Sequence, residues 1–211
     1  MQRLIFLGTG NAAVKKCYNT CFAVETDGKY FLVDAGGGNR ILAQLENSGI
    51  AVDRVRHIFL SHAHSDHILG VVWMLRMICE KMVYFGYRGE AHVYCHDELM
   101  DQLVTIMRIT TTEKVTALLG DRVVLHRVVD GEEMEIPAGN IRFFDIGSTK
   151  LRQYGLFCGC GTGKSWSLSA TSRVGIMRGR WRRMRTGCCT RRFVCMGRGR
   201  SISPMTSTTS R

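Results

Sequence analysis

The stretch Ser61-His62-Ala63-His64-Ser65-Asp66-His67 places three imidazoles and a carboxylate within six positions, directly after the apolar run His57-Ile58-Phe59-Leu60. Nitrogen and oxygen donors at this density suit a borderline divalent cation, Zn²⁺ first and Mn²⁺ or Fe next. From this chain's own composition the pattern arises by chance roughly a few times in ten thousand. A His-rich surface turn is therefore the weaker reading. Two donor pairs, His62 with His64 and Asp66 with His67, point to two adjacent metals rather than one.

Positioning these donors needs a strand and a helix. A strand delivering His62 and His64 would present both on one side, because side chains two apart share a face. Asp66 reads as the N-cap of a helix over the apolar-periodic residues Ile68 to Cys79. Around this unit, Arg3 to Leu7 reads as a short buried strand ending at Gly8-Thr9-Gly10. Thr20 to Glu25 and Lys29 to Asp34 alternate around Thr26-Asp27-Gly28, a hairpin turn signal. Asn39 reads as the cap of a helix through Glu46, with Gly49 just past its end. Val55 to Leu60 feeds the His cluster. Ala91 to Cys95 reads as a strand and Asp97 to Arg108 as an amphipathic helix. Val123 to Val129, Glu133 to Ile136 and Ile141 to Ile146 read as further strands. Interleaved strands, hairpins and helices argue for a mixed-sheet α/β layer architecture.

The H-x-H-x-D-H pattern after a strand resembles the signature of the metallo-β-lactamase superfamily. Phe6-Leu7-Gly8-Thr9-Gly10-Asn11-Ala12 and Phe31-Leu32-Val33-Asp34-Ala35-Gly36 resemble its ribonuclease Z branch, which holds tRNA 3′-processing endonucleases and related phosphodiesterases. The resemblance covers roughly residues 1 to 155. It implies an αββα sandwich with an incomplete second half, and a metal-dependent hydrolase that uses a metal-activated water on phosphodiesters. His62 and His64 would bind one of two divalent ions, Asp66 and His67 the other, with Asp66 also managing the proton. Asp34 would buttress the site through the free N–H of a ligating His. An Asx-type turn before three glycines is an equal reading for Asp34. A small-ester or thioester hydrolase of the same superfamily is an alternative. The implied partners are RNA or another phosphodiester, with a homodimer left open.

Other motifs carry less. Gly8-x-Gly10-x-x-Ala13 with Asp34 downstream imitates a dinucleotide-binding fingerprint, but a hairpin rather than a helix follows the glycines. His57, His92, His96 and His126 lack partner spacing and read as structural or solvated. Cys17, Cys21, Cys79 and Cys95 lie in apolar surroundings and read as reduced core thiols. The first residues do not form a signal peptide, no apolar run reaches the length of a membrane span, and the expected compartment is the cytoplasm.

The net charge of +11 is unevenly spread. Residues 1–150 hold 16 Lys+Arg and 18 Asp+Glu, a net −2, whereas residues 151–211 hold 13 Lys+Arg and no acid. The expected division is a metallo-β-lactamase-like unit over 1–154 and a basic tail over 155–211. By resemblance a third metal His belongs at a strand end where Gly147 stands, followed by a bridging Asp and a last His. No Asp, Glu or His follows Asp145. An out-of-frame reading from about Gly155 accounts for this loss, because Glu codons displaced by one base become Arg, Ser or Gly codons. Under one common offset Ser169-Ala170-Thr171-Ser172-Arg173 can encode GDEP, Cys189-Thr190-Arg191-Arg192-Phe193 HEAF, and Ser203 to Arg211 PYDKHHVE. The rival reading is a genuine RNA-binding arm on an inactive scaffold, using the five arginines around Trp181 between Arg178 and Arg185.

Overall fold

A computed structural model describes residues 2–160, 164–169 and 173–175, with side chains to Cys158. Its first sheet has six strands in sequence order: β1 (Gln2–Gly8), β2 (Cys21–Thr26), β3 (Lys29–Val33), β4 (Val55–Phe59), β5 (Ala91–Cys95) and β6 (Val123–Arg127). The first three are antiparallel and the last three continue parallel from β3. The β2–β3 hairpin turns on Asp27 and Gly28, both at positive φ (50° and 75°), as a tight two-residue turn requires.

Helices α1 (Arg40–Asn47), α2 (Ser65–Tyr84), α3 (Asp97–Thr110) and the short α4 (Glu113–Thr116) supply the crossovers. They share a core with one face of this sheet, in which Ile41, Leu45, Val71, Met74, Leu75, Leu99 and Leu103 meet Leu32, Ile58 and Val93. The other face packs Phe22, Phe31, Phe59 and Tyr94 against Ile141, Phe143, Leu156 and Cys158 of the second sheet. That sheet is antiparallel, in the order β11 (Arg173–Gly175), β10 (Lys164–Ser169), β9 (Tyr154–Cys160), β8 (Gly139–Asp145), β7 (Glu133–Ile136). The order is thus helices, sheet, sheet; the outer helical layer of an αββα sandwich has no member among the described residues. Strands β9 to β11 lie in the stretch read as a basic tail, and the backbone of that stretch pairs with β8. The Arg-rich run Arg178 to Arg185 lies outside the described residues. No helix among the described residues is long and apolar enough to cross a membrane.

Several local expectations need correction. α2 starts at Ser65 with His64 in the cap position, so Asp66 lies inside the first turn rather than capping it. Its carboxylate is thereby free for other partners. Asn39 has helical dihedrals and makes no side-chain cap bond. Cys17 is exposed, unlike buried Cys21, Cys79 and Cys95, because it lies on the excursion between Gly10 and Tyr18 rather than on a strand or helix.

The first turns of α2 press hard on the loop that follows β3. The Gly70 N–H lies 2.8 Å from the Gly36 carbonyl oxygen. A Cβ on Gly70 would stand 1.8 Å from the Ala35 carbonyl oxygen, a backbone atom with no room to give. Helix propensity alone favours alanine over glycine by about 1 kcal/mol. Forcing a methyl into a filled space costs about 1–3 kcal/mol. With backbone on the far side of the contact, the second effect wins. Gly70→Ala is expected to lower the unfolding free energy by up to about 2 kcal/mol in urea denaturation; a more stable variant would show that this contact is looser than described.

Candidate functional site

The parallel ladder brings the donors together. Beyond the last residue of β3, Asp34 N–H bonds to the Phe59 carbonyl at 2.8 Å, and beyond β4, Leu60 N–H bonds to the Tyr94 carbonyl at 3.0 Å. The chain then runs irregularly from Leu60 to His64 before α2 begins, so the two histidines leave a strand end rather than lie on the strand itself. They still converge, with His62 Nε2 lying 2.9 Å from His64 Nδ1. On the other side His67 Nε2 lies 3.5 Å from Asp66 Oδ2. The His62 and His67 rings are 4.2 Å apart between centroids, which puts both pairs in one place.

Buried Asp34 ties the two pairs together. One carboxylate oxygen, Oδ2, accepts from His67 Nδ1 at 2.8 Å, and Oδ1 accepts from the Ser61 backbone N–H at 2.9 Å. The Ser61 hydroxyl lies within 2.9 Å of both Asp34 oxygens and 2.9 Å from His62 Nδ1. A hydroxyl has one proton to give, and Asp34 can only accept. The consistent assignment is His62 Nδ1–H donating to Ser61 Oγ, whose proton goes to Asp34. Both buried imidazoles then carry hydrogen on Nδ1 and expose a lone pair on Nε2. This is the arrangement by which carboxylates orient metal-binding histidines. Asp34 therefore does more than shape a turn, although its φ of 54° shows that it makes the turn as well.

The electrostatics agree with that assignment for His62; at His67 they place a proton in competition with a cation for Nε2. Burial alone would raise the Asp34 pKa, but the facing His67, its hydrogen bond and the Ser61 N–H hold the carboxyl below its ordinary range. Burial would lower His67, and Asp34 outweighs it and raises this imidazole. His62 is pushed down to about 4, chiefly by burial and then by the neighbouring His67. At neutral pH His62 Nε2 is accordingly unprotonated, and its lone pair accepts from His64 Nδ1–H at 2.9 Å.

Two nitrogens that bind one ion at 2.0–2.1 Å stand about 2.9 Å apart at a right angle and about 3.3 Å apart at a tetrahedral angle. The His62–His64 separation falls at the short end of that span, and the Asp66–His67 separation just beyond the long end. Among the described residues no three His, Cys, Asp or Glu side chains converge on a single point. The donors meet as two pairs. Gly147, at the position where the resemblance calls for a third imidazole, lies in a left-handed turn (φ 65°) with its N–H on the Asp145 carboxylate.

Residues without a recognisable sequence signal hold the Asp34 loop in place. The Tyr18 hydroxyl lies 2.8 Å from the carbonyl oxygens of both Ala35 and Gly38, and it accepts from Gly38 N–H at 3.3 Å. Its ring lies so close under Gly36 (φ 72°) that a Cβ there would come within 2.4 Å. The loop is clamped between Tyr18 below and the start of α2 above. Ser61 sits inside the His-rich stretch, but only the fold reveals that it links His62 to Asp34. His96, which lacks partner spacing in the sequence, accepts from Leu99 N–H through Nδ1 at 3.3 Å and caps α3, while its buried Nε2 has no hydrogen-bond partner among the described residues.

Asp34→Asn tests the buttress directly. An amide keeps the shape, loses the charge and offers His67 a weaker acceptor. Removing such an orienting partner costs about 10–100-fold in metal affinity, so Zn²⁺ titration calorimetry is expected to show a loss in that range. Unchanged affinity in a folded variant would mean that Asp34 serves the turn alone.

Residues 2–170 match the family described as Anti-Pycsar protein Apyc1. Ribonuclease Z of Methanococcus aeolicus is 32% identical over 112 residues, which are 51% of this chain and 32% of that protein. The chain thus spans about a third of the length of the curated relatives it matches. The metallo-β-lactamase fold protein YhfI of Bacillus subtilis superposes with a TM-score of 0.57 at 15% identity, covering 74% of this chain and 58% of that one. The short form of human tRNase Z gives 0.56 at 19% identity, covering 85% and 68%. At such identities the likeness speaks for the fold, which is that of the metallo-β-lactamases.

Proposed function

The chain belongs to the Anti-Pycsar protein Apyc1 family, within the metallo-β-lactamase superfamily and close to ribonuclease Z, and on that footing we propose a metal-dependent phosphodiesterase. The carrying observation is the pair of Nδ1-anchored imidazoles, His62 through Ser61 and His67 through Asp34, each with Nε2 turned toward a second donor. His62 and His64 would hold one divalent ion, Asp66 and His67 the other. Bound there, two such ions, Zn²⁺ first and Mn²⁺ or Fe next, would supply an acidified water and positive charge against the phosphate oxygens.

The chain's own residues do the rest. Asp34 and Ser61 hold Nδ1 of His67 and of His62, fix the planes of both rings and turn Nε2 of each toward the site. Asp66, inside the first turn of α2, keeps its carboxylate beside His67 and would accept a proton from the attacking water before passing it to the leaving oxygen. A small phosphodiester suits this chain better than a large RNA. Among the described residues the longest connection without regular structure is the twelve-residue run 9–20, too short for an arm that grips a folded RNA. A carboxylic ester or thioester is the second reading, since the same donors would serve it. RNA binding by the Arg/Trp run on an inactive scaffold rests on composition alone.

We also propose that this particular chain is impaired, because its tail is read out of frame. The family match runs to residue 170, yet only the first four donors of the expected set are present, and no Asp, Glu or His follows Asp145. Each missing donor weakens the ions' hold and leaves a coordination position to water. Source DNA across codons 145 to 211 is expected to yield GDEP, HEAF and PYDKHHVE once a one-base insertion or deletion near codon 155 is reversed; a reading frame that yields none of them would sink this proposal.

Activity is tested with Zn²⁺ or Mn²⁺ on three substrates: bis(p-nitrophenyl) phosphate, a 3′,5′-cyclic nucleotide and a tRNA precursor. The 211-residue chain is expected to hydrolyse none of them faster than its Asp66→Ala variant. The frame-restored chain is expected to exceed its own Asp66→Ala variant by at least about 100-fold on one of the smaller two. Strong turnover by the 211-residue chain would contradict the impairment. A frame-restored chain inert on all three would contradict the phosphodiesterase assignment.

A further inference from the structure

Three histidines that the motif does not use stand together on the sheet face that looks toward the second sheet. His57 on β4 is in register with His92 on β5, and Tyr94 on β5 with His126 on β6. The rings form two stacks. His57 lies on His92 with centroids 4.7 Å apart and planes within 7°, and Tyr94 lies on His126 at 4.5 Å and 11°. His57 Nδ1 and the Tyr94 hydroxyl, 2.9 Å apart, join one stack to the other. Across the gap His92 Nδ1 faces His126 Nε2 at 3.1 Å. The two ring nitrogens share at most one proton, so they make a single N–H···N bond whose proton a cation would replace.

We propose that His92 and His126 form a cross-strand clamp for a borderline divalent cation of the Zn²⁺, Ni²⁺ or Cu²⁺ type, a site distinct from the His62–His67 motif. The 3.1 Å separation falls inside the span of about 2.9–3.3 Å expected for two nitrogens on one ion. Each ring is already held flat by a neighbour on the next strand, so little side-chain freedom is lost on binding. Burial, the first cause in every case, lowers the proton affinity of all three imidazoles, His57 to about 4. Neutral imidazoles are what a metal requires.

The surrounding charges favour a cation at the clamp. Glu90 lies 3.9 Å from His92 Nε2, and Glu132 raises the proton affinity of His126 against the effect of burial. Two cations, Lys29 and Arg56, lower the proton affinity of His57, the ring stacked on His92. Mg²⁺ and Ca²⁺ are poor candidates, since they take oxygen donors. No third His, Cys, Asp or Glu converges on the pair among the described residues, so water would complete the coordination. His92 and His126 stand on β5 and β6, whereas His62 to His67 lie past the end of β4. The two sites are thus independent, and this inference does not rest on the hydrolase reading.

Ni²⁺ tests it, because a paramagnetic ion broadens the amide resonances nearest to it. In the full chain carrying His64→Ala and Asp66→Ala, substoichiometric Ni²⁺ is expected to broaden residues 91–95 and 123–127 first. Adding His126→Gln is expected to weaken that binding at least tenfold by calorimetry, while His57→Phe, which keeps a ring on His92, leaves it within about threefold. Broadening confined to other residues, or equal affinity with and without His126, would overturn the clamp. If His126→Gln does not fold, the broadening map on the parent chain decides by itself.

Discussion

A carboxylate with almost no access to water sits at the centre of this molecule, and its charge has to be matched. Asp34 meets that demand with the Ser61 N–H, the Ser61 hydroxyl and His67 Nδ1, and each of these lies on the stretch that carries the candidate ligands. The cost of burying a charge thus becomes an ordering force on the site. The parallel pairing of β3 with β4 puts Asp34 and Ser61 side by side. Positive φ at Asp34 and Gly36 turns the chain sharply out of the sheet, and Tyr18 on one side and α2 on the other hold it there.

Much of this architecture could be read from local pattern. Ala91–Cys95 and Glu133–Ile136 fall where alternation placed them, and the Asp27-Gly28 turn joins the hairpin it signals. The His-rich stretch announced a donor cluster because its residue types are rare and its spacing is dense. Tertiary facts escaped that reading. Asp66 has the residue type of a cap, but α2 starts at Ser65 and takes His64 in that position, which leaves the Asp66 carboxylate beside His67. Tyr18 is an ordinary aromatic until the loop it supports is folded over it. His92 and His126 have no sequence spacing that links them, since their partnership depends on the register of β5 with β6.

The second half of the sandwich is where chain and fold part company. The antiparallel ladder of the second sheet runs on from β8 through β9 to β10 and β11, and Leu156 and Cys158 are buried against the first sheet. Backbone pairing tolerates many side chains, whereas a metal centre does not. A chain can therefore extend its ladder with residues that lack every donor the rest of the centre requires. That distinction separates the shape of this protein, which is that of its superfamily, from the chemistry proposed for it.

The central claim is that His62 and His67 are anchored through Nδ1 so that Nε2 can bind a cation. Long-range ¹⁵N–¹H spectra of the imidazole nitrogens during a Zn²⁺ titration measure this atom by atom. The account predicts large shifts at Nε2 of both rings while both Nδ1 atoms keep their protons and their bonds to Ser61 and Asp34. Nε2 resonances that stay in place as Zn²⁺ saturates a folded chain, or shifts appearing at Nδ1 instead, would contradict it.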